Sequence, residues 1–315
     1  MKKVLITGGA GFIGANFVYT FLDLGYHVTI IEKQETNLWR LETIKDTITI
    51  QHIDLTNYER LEPFILTLQP NIILHFATYG AYQSKQQDIQ TTINTNLLGT
   101  INLVNACAKI PFECFINTGT SSEYGLKNRA MKETDVLEPN NLYGITKSAS
   151  TMYCSYMATS KNLPIATVRP FAVYGYFEEK ERLVPTIIRA CLENSPLKLS
   201  SPNSVRDFVF IEDLISACML IIKNIEKTKG EIFNIGSGKQ TTIEEVFKIT
   251  KKITGSKIQP TYNQIKQNQY EPQKWLADIS KSKKMLQWKP KYSLEAGLKK
   301  NLSWFKKSLS LYGKN

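Results

Sequence analysis

Tyr143 and Lys147 lie four residues apart in Tyr143-Gly144-Ile145-Thr146-Lys147, a spacing that sets both side chains on one face of a helix. Together these residue types can move a proton. A free tyrosine, with a pKa of about 10, is a poor base at neutral pH, but a lysine cation held beside it favours the phenolate. The phenol then exchanges a proton with a substrate hydroxyl while a hydride moves from the same carbon. The spacing also arises by chance on exposed helices. Thr120 shifts the balance, because it sits in Asn117-Thr118-Gly119-Thr120-Ser121-Ser122-Glu123-Tyr124-Gly125, just past a predicted strand. A hydroxyl there can share a hydrogen bond with the reacting oxygen, although a polar cluster of this kind can also be a plain turn.

The N-terminus offers a partner for such a reaction. Thr7-Gly8-Gly9-Ala10-Gly11-Phe12-Ile13-Gly14 follows an apolar run and opens a helical pattern. Gly8 permits a tight turn, Gly11 lets backbone approach a pyrophosphate, and Gly14 lets the helix pack on the strand. The helix N-terminus then presents unpaired N–H groups to phosphate. Glu32 ends the next strand pattern, where a carboxylate accepts both ribose hydroxyls and repels a 2′-phosphate. That favours NAD over NADP, although Lys33 and Arg40 stand close enough in sequence to greet a phosphate instead. Asp54, after the third strand, is placed either for an adenine amino group or as a helix N-cap.

Short β-branched runs alternate with amphipathic stretches and must position these groups. Val4–Ile6, Val28–Ile31, Ile48–Ile50, Ile72–Leu74, Cys114–Ile116 and Ile165–Val168 read as strands. Phe12–Leu24, Asn57–Leu68, one long stretch Asp88–Cys107, and Tyr143–Ser160 read as helices. This rhythm predicts an α/β fold with a doubly wound parallel sheet. Past Pro170 the rhythm loosens. Helices are expected near Leu183–Leu192, Leu214–Ile222, Ile243–Ile253 and Leu294–Phe305, with strands at Phe208–Phe210 and Ile232–Asn234 and a loop or edge strand over Lys257–Glu271. Residues 1–170 are expected to form the dinucleotide-binding domain and 171–315 a smaller α/β substrate lobe, with the chain free to cross between them.

Composition narrows the class. The 315 residues are 42% apolar and 21% charged, ordinary for a soluble globular protein and long enough to bury a core without staples. Five scattered cysteines without a CxxC pair, and three histidines, argue against a zinc site and for reduced thiols in the cytoplasm. No apolar run approaches the roughly eighteen residues of a membrane span, and the glycine-rich start lacks the long apolar core of a signal peptide. Residues 239–315 hold 17 lysines against 5 acids, whereas residues 1–238 hold 22 basic and 23 acidic groups. Solvated surface lysines account for most of that surplus, with attraction of an anionic ligand as a second role. The tail contains no arginine, the preferred base-reading residue, which argues against nucleic acid.

On these residues the chain resembles the extended short-chain dehydrogenase/reductase superfamily, in its NAD-dependent epimerase/dehydratase branch acting on nucleotide sugars. The likeness covers nearly the whole chain. The glycine stretch resembles the branch's TGGxGFIG, His75-Phe76-Ala77 its HxA, Asn96-x-x-Gly99-Thr100 its NxxGT, and Thr120, Tyr143 and Lys147 its catalytic set. Arg206-Asp207-Phe208 resembles its RDF stretch, and Asn234-Ile235-Gly236-Ser237-Gly238 and Trp288-Lys289-Pro290 also match. The resemblance implies a Rossmann-type fold. It implies an NAD site at Gly8, Gly11, Phe12, Ile13, Gly14, Glu32, Asp54, Leu55, Ala77, Asn96, Tyr143 and Lys147. It further implies a nucleotide-diphosphate sugar held by Ser121, Ser122, Arg182 and Arg206, a use in polysaccharide biosynthesis, and a homodimer through the helices near 88–107 and 143–160.

Bidentate, always-charged Arg206 suits a diphosphate, with an ion pair to Asp207 or Asp213 as the alternative. Arg182 could equally be a solvated helix start, and Tyr79, Tyr82 and Tyr174 could hold hydroxyls or simply pack. There are departures. Ala172 stands where many relatives have Asn, and no arginine precedes the C-terminal Ala277-Asp278, leaving Lys266 or Lys274 as substitutes. Three reactions share the catalytic set: 4-epimerisation, 4-keto reduction and 4,6-dehydration. Dehydratases of the branch carry Asp-Glu directly after the Thr, where this chain has Ser121-Ser122. Hydroxyls of high pKa replace carboxyls poorly in acid–base work. Glu123 is shifted by one residue and is expected to point elsewhere. Epimerisation is therefore the leading expectation, with ketoreduction, dehydration and a catalytically silent NAD-binding relative behind it.

Overall fold

The computed structural model describes residues 1–81, 88–263 and 273–312. The apolar runs at the start of the chain become strands because each is too short to bury a helix face and is bounded by turn-forming residues. They are β1 (Lys3–Thr7), β2 (His27–Glu32), β3 (Thr49–His52), β4 (Ile72–His75), β5 (Cys114–Thr118) and β6 (Ile165–Pro170). Between them lie α1 (Phe12–Asp23), α2 (Tyr58–Leu68), α3 (Ile89–Ile93), α4 (Gly99–Cys107) and α5 (Leu142–Ser160).

Past Pro170 come β7 (Ala172–Tyr174), α6 (Leu183–Glu193), β8 (Leu197–Lys198), β9 (Val205–Arg206), β10 (Phe208–Phe210), α7 (Ile211–Lys223) and α8 (Ile225–Thr228). After them come β11 (Ile232–Ile235), β12 (Thr241–Thr242), α9 (Ile243–Thr254), β13 (Pro260–Thr261), α10 (Ser280–Leu286), α11 (Leu294–Lys307) and α12 (Leu309–Tyr312).

Seven strands form the central sheet in the order β11-β6-β5-β4-β1-β2-β3. Each pairing from β3 through β6 is parallel. The chain winds outward from β1 to β2 and β3, then returns to place β4 on the other side of β1. That reversal is the switch point of a doubly wound Rossmann-type sheet. β4 is buried along its whole length, as expected of a strand covered on both faces. Leu5, Ile73, Phe115 and Ile165 meet Leu103, Cys107, Cys154 and Met157 in one apolar cluster.

The expected single helix over Asp88–Cys107 is continuous from Ile89 to Cys107 but carries a π-turn in its middle. Between α3 and α4 the chain makes a π-turn over Asn94–Leu98. The Asn96 carbonyl there accepts hydroxyls from Thr100 at 2.7 Å and from Ser150 of α5 at 2.5 Å. Apolar periodicity alone cannot reveal such a bulge, because one of the hydroxyls on its carbonyl comes from another helix.

The described residues group into two compact units. One comprises residues 1–125, 136–169 and 215–233, and the other 126–135, 170–214 and 234–315. In the second unit β7 pairs with β10 and β8 with β13 in parallel, while β9 pairs with β12 antiparallel. Two buried carboxylates tie its loops. Asp207 accepts from the backbone of Ser237 (2.6 Å), Gly238 (3.1 Å) and Ala277 (3.0 Å). Asp213 accepts from the backbone of Lys291 (2.7 Å) and Tyr292 (3.2 Å). Tyr174 belongs to the aromatic packing of this unit, 5.4 Å from Phe210 with its hydroxyl on the Leu294 carbonyl, so its ring packs internally. Tyr82, Lys266 and Glu271 lie outside the described residues.

Candidate functional site

The glycine turn is built from close approaches. Gly8 has φ +69°, and a β-carbon on it would lie 2.6 Å from the Ala77 nitrogen, so the end of β1 touches the segment after β4 backbone to backbone. A β-carbon on Gly14 would lie 2.1 Å from the Gly8 carbonyl oxygen. Gly11 differs, since its β-carbon would meet only that same oxygen, at 3.2 Å. Gly8 and Gly14 are therefore glycines for packing, and Gly11 for the space above it. Gly11 caps α1 with no side-chain hydrogen bond, and the first turn of α1 holds no acid. These amides suit an anion, so the turn fits the pyrophosphate of a dinucleotide. Buried Phe12 and half-buried Ile13 begin the helix behind it.

Glu32 ends β2 and is nearly buried, with Oε1 accepting from the Ala10 amide at 2.6 Å. Burial raises its pKa to about 7, against the lowering effect of that hydrogen bond and of Arg40. Lys33 and Arg40, the two cations close in sequence to a 2′-phosphate position, both have partners within this unit. Lys33 pairs with Asp54 at 3.0 Å. Arg40 is buried, donates to the Ala10 carbonyl at 3.2 Å and lies 4.4 Å over Trp39. Asp54 also accepts from the Thr56 amide and hydroxyl, while the N-cap of α2 is Asn57. Leu55 is buried and Ala77 half-buried.

His75 lies between Thr7 at 2.6 Å and Thr100 at 2.8 Å. Complete burial, with Lys147 adding to it, pushes its pKa down to about 3, so the imidazole stays neutral as a structural link. Asn96 is fully buried. Its amide oxygen accepts from the Tyr79 backbone (2.8 Å) and the Thr78 hydroxyl (3.0 Å), and its amide nitrogen donates to the Tyr79 carbonyl (2.9 Å) and to Thr146 of α5 (3.0 Å).

Thr120, Tyr143 and Lys147, the residues expected to do the chemistry, all lie in this same unit. Asn141 caps α5, accepting from Gly144 N–H at 2.8 Å. Tyr143 is half-buried in the first turn, the end of a helix that favours negative charge. Lys147 follows one turn later, 2% exposed. Burial holds the Lys147 pKa below the usual lysine range, partly opposed by the Glu123 carboxylate. Thr120 leaves β5 in extended conformation and caps the short turn Ser121–Tyr124. Its oxygen accepts from Ser122 N–H at 3.2 Å, a bond that does not use the hydroxyl's own proton. Ser121 is buried and Ser122 half-buried.

Glu123 was set aside in the sequence as pointing elsewhere, and its pairing with Arg169 explains why. Arg169 Nη2 lies 2.7 Å from Glu123 Oε2, with both side chains buried. The signal for this arrangement was present: Thr120-x-x-Glu123 has the spacing of a capping box. Its arginine, 46 residues on, could not be inferred.

The expected phosphate contacts lie in the other unit. Arg206 on β9 donates to the Val205 carbonyl at 2.6 Å and stands 5.8 Å from the Trp275 ring. Arg182 caps α6 and pairs with buried Glu178 at 3.3 Å. Lys274 and Lys127 line one cavity of about 580 Å³ with Leu126, Asn128 and Gln273.

Two outcomes are expected. Gly11→Ala should keep the thermal midpoint within a few degrees while abolishing NAD binding. Gly14→Ala should lower the midpoint strongly, since backbone must move to admit its methyl group. Calorimetric melting and NAD titration separate them, and equal effects would refute the distinct roles. In addition, only ionised Glu32 can accept from both ribose hydroxyls. NAD affinity should therefore rise as pH increases through about 7 and level off above it, and Glu32→Gln should flatten the curve. A wild-type affinity independent of pH would remove Glu32 from the ribose.

A sequence model of the NAD dependent epimerase/dehydratase family matches residues 4–236. The chain is 27% identical to a UDP-glucuronate 4-epimerase of Thermodesulfobacterium geofontis, over 99% of this chain and 98% of that one. It superposes with a TM-score of 0.86 on UDP-glucuronic acid 4-epimerase from Bacillus cereus, solved with UDP-glucuronic acid and NAD, at 28% identity over 97% of this chain and 99% of that one. A dTDP-glucose 4,6-dehydratase from Bacillus anthracis, solved with NAD, matches at a TM-score of 0.88 and 26% identity, over 100% and 99%. Fold, glycine turn and matched sequence agree: the chain belongs to the NAD dependent epimerase/dehydratase family and is an NAD-dependent enzyme.

Proposed function

We propose that this enzyme is a nucleotide-sugar 4-epimerase, oxidising the sugar transiently at C4 and restoring the hydroxyl on either face. The observation that carries the reading is the Thr120, Tyr143 and Lys147 set combined with the pair of hydroxyls at Ser121 and Ser122. Elimination of water needs an added acid and base, and serine hydroxyls supply neither near neutral pH. This separates the chain from the dehydratase it superposes on, and the UDP-sugar 4-epimerases among its relatives support the same choice.

NAD, when bound, supplies the reversible acceptor that such an oxidation requires. Tyr143 takes the C4 hydroxyl proton as the carbonyl forms and gives it back on return. Lys147 supplies the cation that favours the phenolate and binds the nicotinamide ribose. Thr120 donates a hydrogen bond to the reacting oxygen. Glu32 accepts the adenosine ribose hydroxyls, Gly11 opens the turn to the pyrophosphate, and Asp54, Leu55 and Ala77 line the cofactor's path. The amide bonds of Asn96 suit it to shaping that wall from behind. Arg206 carries the substrate diphosphate, with Arg182 and Lys274 as further cations. Five buried, unpaired thiols suit a reducing cytoplasm. Among the described residues no helix is long and apolar enough to cross a membrane.

A homodimer through α3, α4 and α5 completes the reading. Ile145, Met152 and Tyr156 share one face of α5 and are 50%, 65% and 59% exposed, and Ile89 and Leu98 are exposed beside α3 and α4. Large apolar groups repeated at helical spacing on a surface mark an interface.

The decisive experiment incubates the NAD-loaded enzyme with UDP-, dTDP-, GDP- and CDP-sugars, following products and NADH absorbance together. A C4 epimer with no net NADH is expected. Net consumption of NADPH or a 4-keto-6-deoxy product would replace the reading. Tyr143→Phe should keep fold and NAD binding while slowing turnover about 10²–10⁴-fold, and a wild-type rate would dismiss Tyr143 as the base. For the dimer, Met152→Glu should halve the mass measured by light scattering, and a monomeric wild type would sink that part.

A further inference from the structure

We propose that the buried Arg169–Glu123 ion pair is a positioning device of the active site, through which Glu123 fixes Thr120 and joins its turn to the catalytic helix. The inference rests on the assignment of Thr120 and Lys147 to the reacting centre.

Glu123 is 0% exposed, and each of its contacts leads to a different element. Oε1 accepts from the Thr120 backbone N–H at 2.8 Å and from the Thr151 hydroxyl of α5 at 3.1 Å. Oε2 accepts from Arg169 Nε at 2.8 Å and Nη2 at 2.7 Å, a two-pronged contact from the end of β6. Arg169 Nη1 donates in turn to the Tyr124 hydroxyl at 3.0 Å, and the guanidinium lies 4.7 Å over the Tyr124 ring. One carboxylate thus connects β5, the Thr120 turn, α5 and β6. A β-carbon on Gly119 would lie 2.3 Å from Glu123 Oε1, so the strand end has been cleared for the carboxylate.

Packing alone does not require this arrangement. Burying two charges carries a desolvation penalty that their attraction must first offset, and apolar residues of similar volume often stabilise as well or better. The pair supplies what an apolar filling cannot. It provides an acceptor that holds the Thr120 backbone, hence its hydroxyl, in one rotational setting. It also places a negative charge where Lys147 feels it. Burial is the main influence on Lys147; Glu123 opposes it by favouring the ammonium form, as Cys154 does more weakly, and His75 also interacts with that charge.

The test is a double-mutant cycle on the NAD-loaded enzyme, reading single-turnover reduction of NAD by UDP-glucose or whichever panel sugar the wild type converts. Glu123→Gln keeps the shape and should slow this step about 10–10²-fold, the scale of a small misplacement, with KM unchanged. If Glu123 acts through Thr120, then Thr120→Ala/Glu123→Gln should be no slower than Thr120→Ala alone. Glu123→Leu/Arg169→Met removes the pair without stranding a charge; it should fold, bind NAD and be as slow as Glu123→Gln. Wild-type speed in that variant would overturn the proposal and leave the pair a structural element, and additive losses in the cycle would refute its action through Thr120. A readout independent of turnover is the NMR titration of Lys147, identified with Lys147→Met. It should move to lower pH in Glu123→Gln, because a stabilising negative charge is lost. An unmoved titration refutes the electrostatic part. If no nucleotide sugar reduces NAD in the wild type, the functional reading fails, and the Lys147 titration still decides the coupling.

Discussion

Parallel pairing at one common level sets the height of every chemical group at the strand ends of the central sheet. Thr7 lies opposite Ile31 on one side and His75 on the other, and His75 lies opposite Asn117. Strands in parallel register end together, so the glycine turn after β1, Glu32 on β2, Ala77 after β4 and Thr120 after β5 emerge along one edge. The reversal of winding at β1 then leaves room between the loops that follow β1 and β4, where only glycine at position 8 allows the backbones to meet.

Beneath that edge the unit is unusually polar for a core. His75, Asn96, Thr100, Glu123, Lys147 and Arg169 are all buried. Buried groups of this kind are tolerable only when their hydrogen bonds are made. The bonds run between elements: β1 to β4 to α4 through Thr7, His75 and Thr100, the π-turn to α5 through Asn96, and β5 to α5 and β6 through Glu123. Directional bonds of this kind specify one relative placement of the helices, which apolar contacts alone leave looser. Catalysis in general needs reacting groups placed to within a fraction of an ångström and so calls for that specificity.

Much of this was legible in the linear chain because its signals are local. Alternation of β-branched runs with helical periodicity encoded six strands of the sheet, and turn chemistry encoded the glycine loop. Tyr143 and Lys147 announced themselves through a spacing that any helix converts into one face. Element bounds differ from expectation by one to three residues in most places, as at α7, which begins at Ile211 rather than near Leu214.

What required the tertiary structure were the consequences of contact between distant segments. The π-turn at Asn94–Leu98 carries the Ser150 hydroxyl of α5 on its Asn96 carbonyl, 54 residues away. Ile232–Asn234 reads as an ordinary short strand, and only the pairing of β11 beside β6 makes it the edge of the central sheet. Lys33 and Arg40 read as rivals for a phosphate until Asp54 and the Ala10 carbonyl were found to hold them. Glu123 carried a capping-box spacing, yet its charge found meaning only when β6 delivered Arg169. Periodicity and turn propensity are properties of neighbours in sequence, and so the chain alone determined its elements and its local motifs. Burial and charge pairing are properties of neighbours in space, and so folding alone decided which polar groups face the chemistry and which hold it in place.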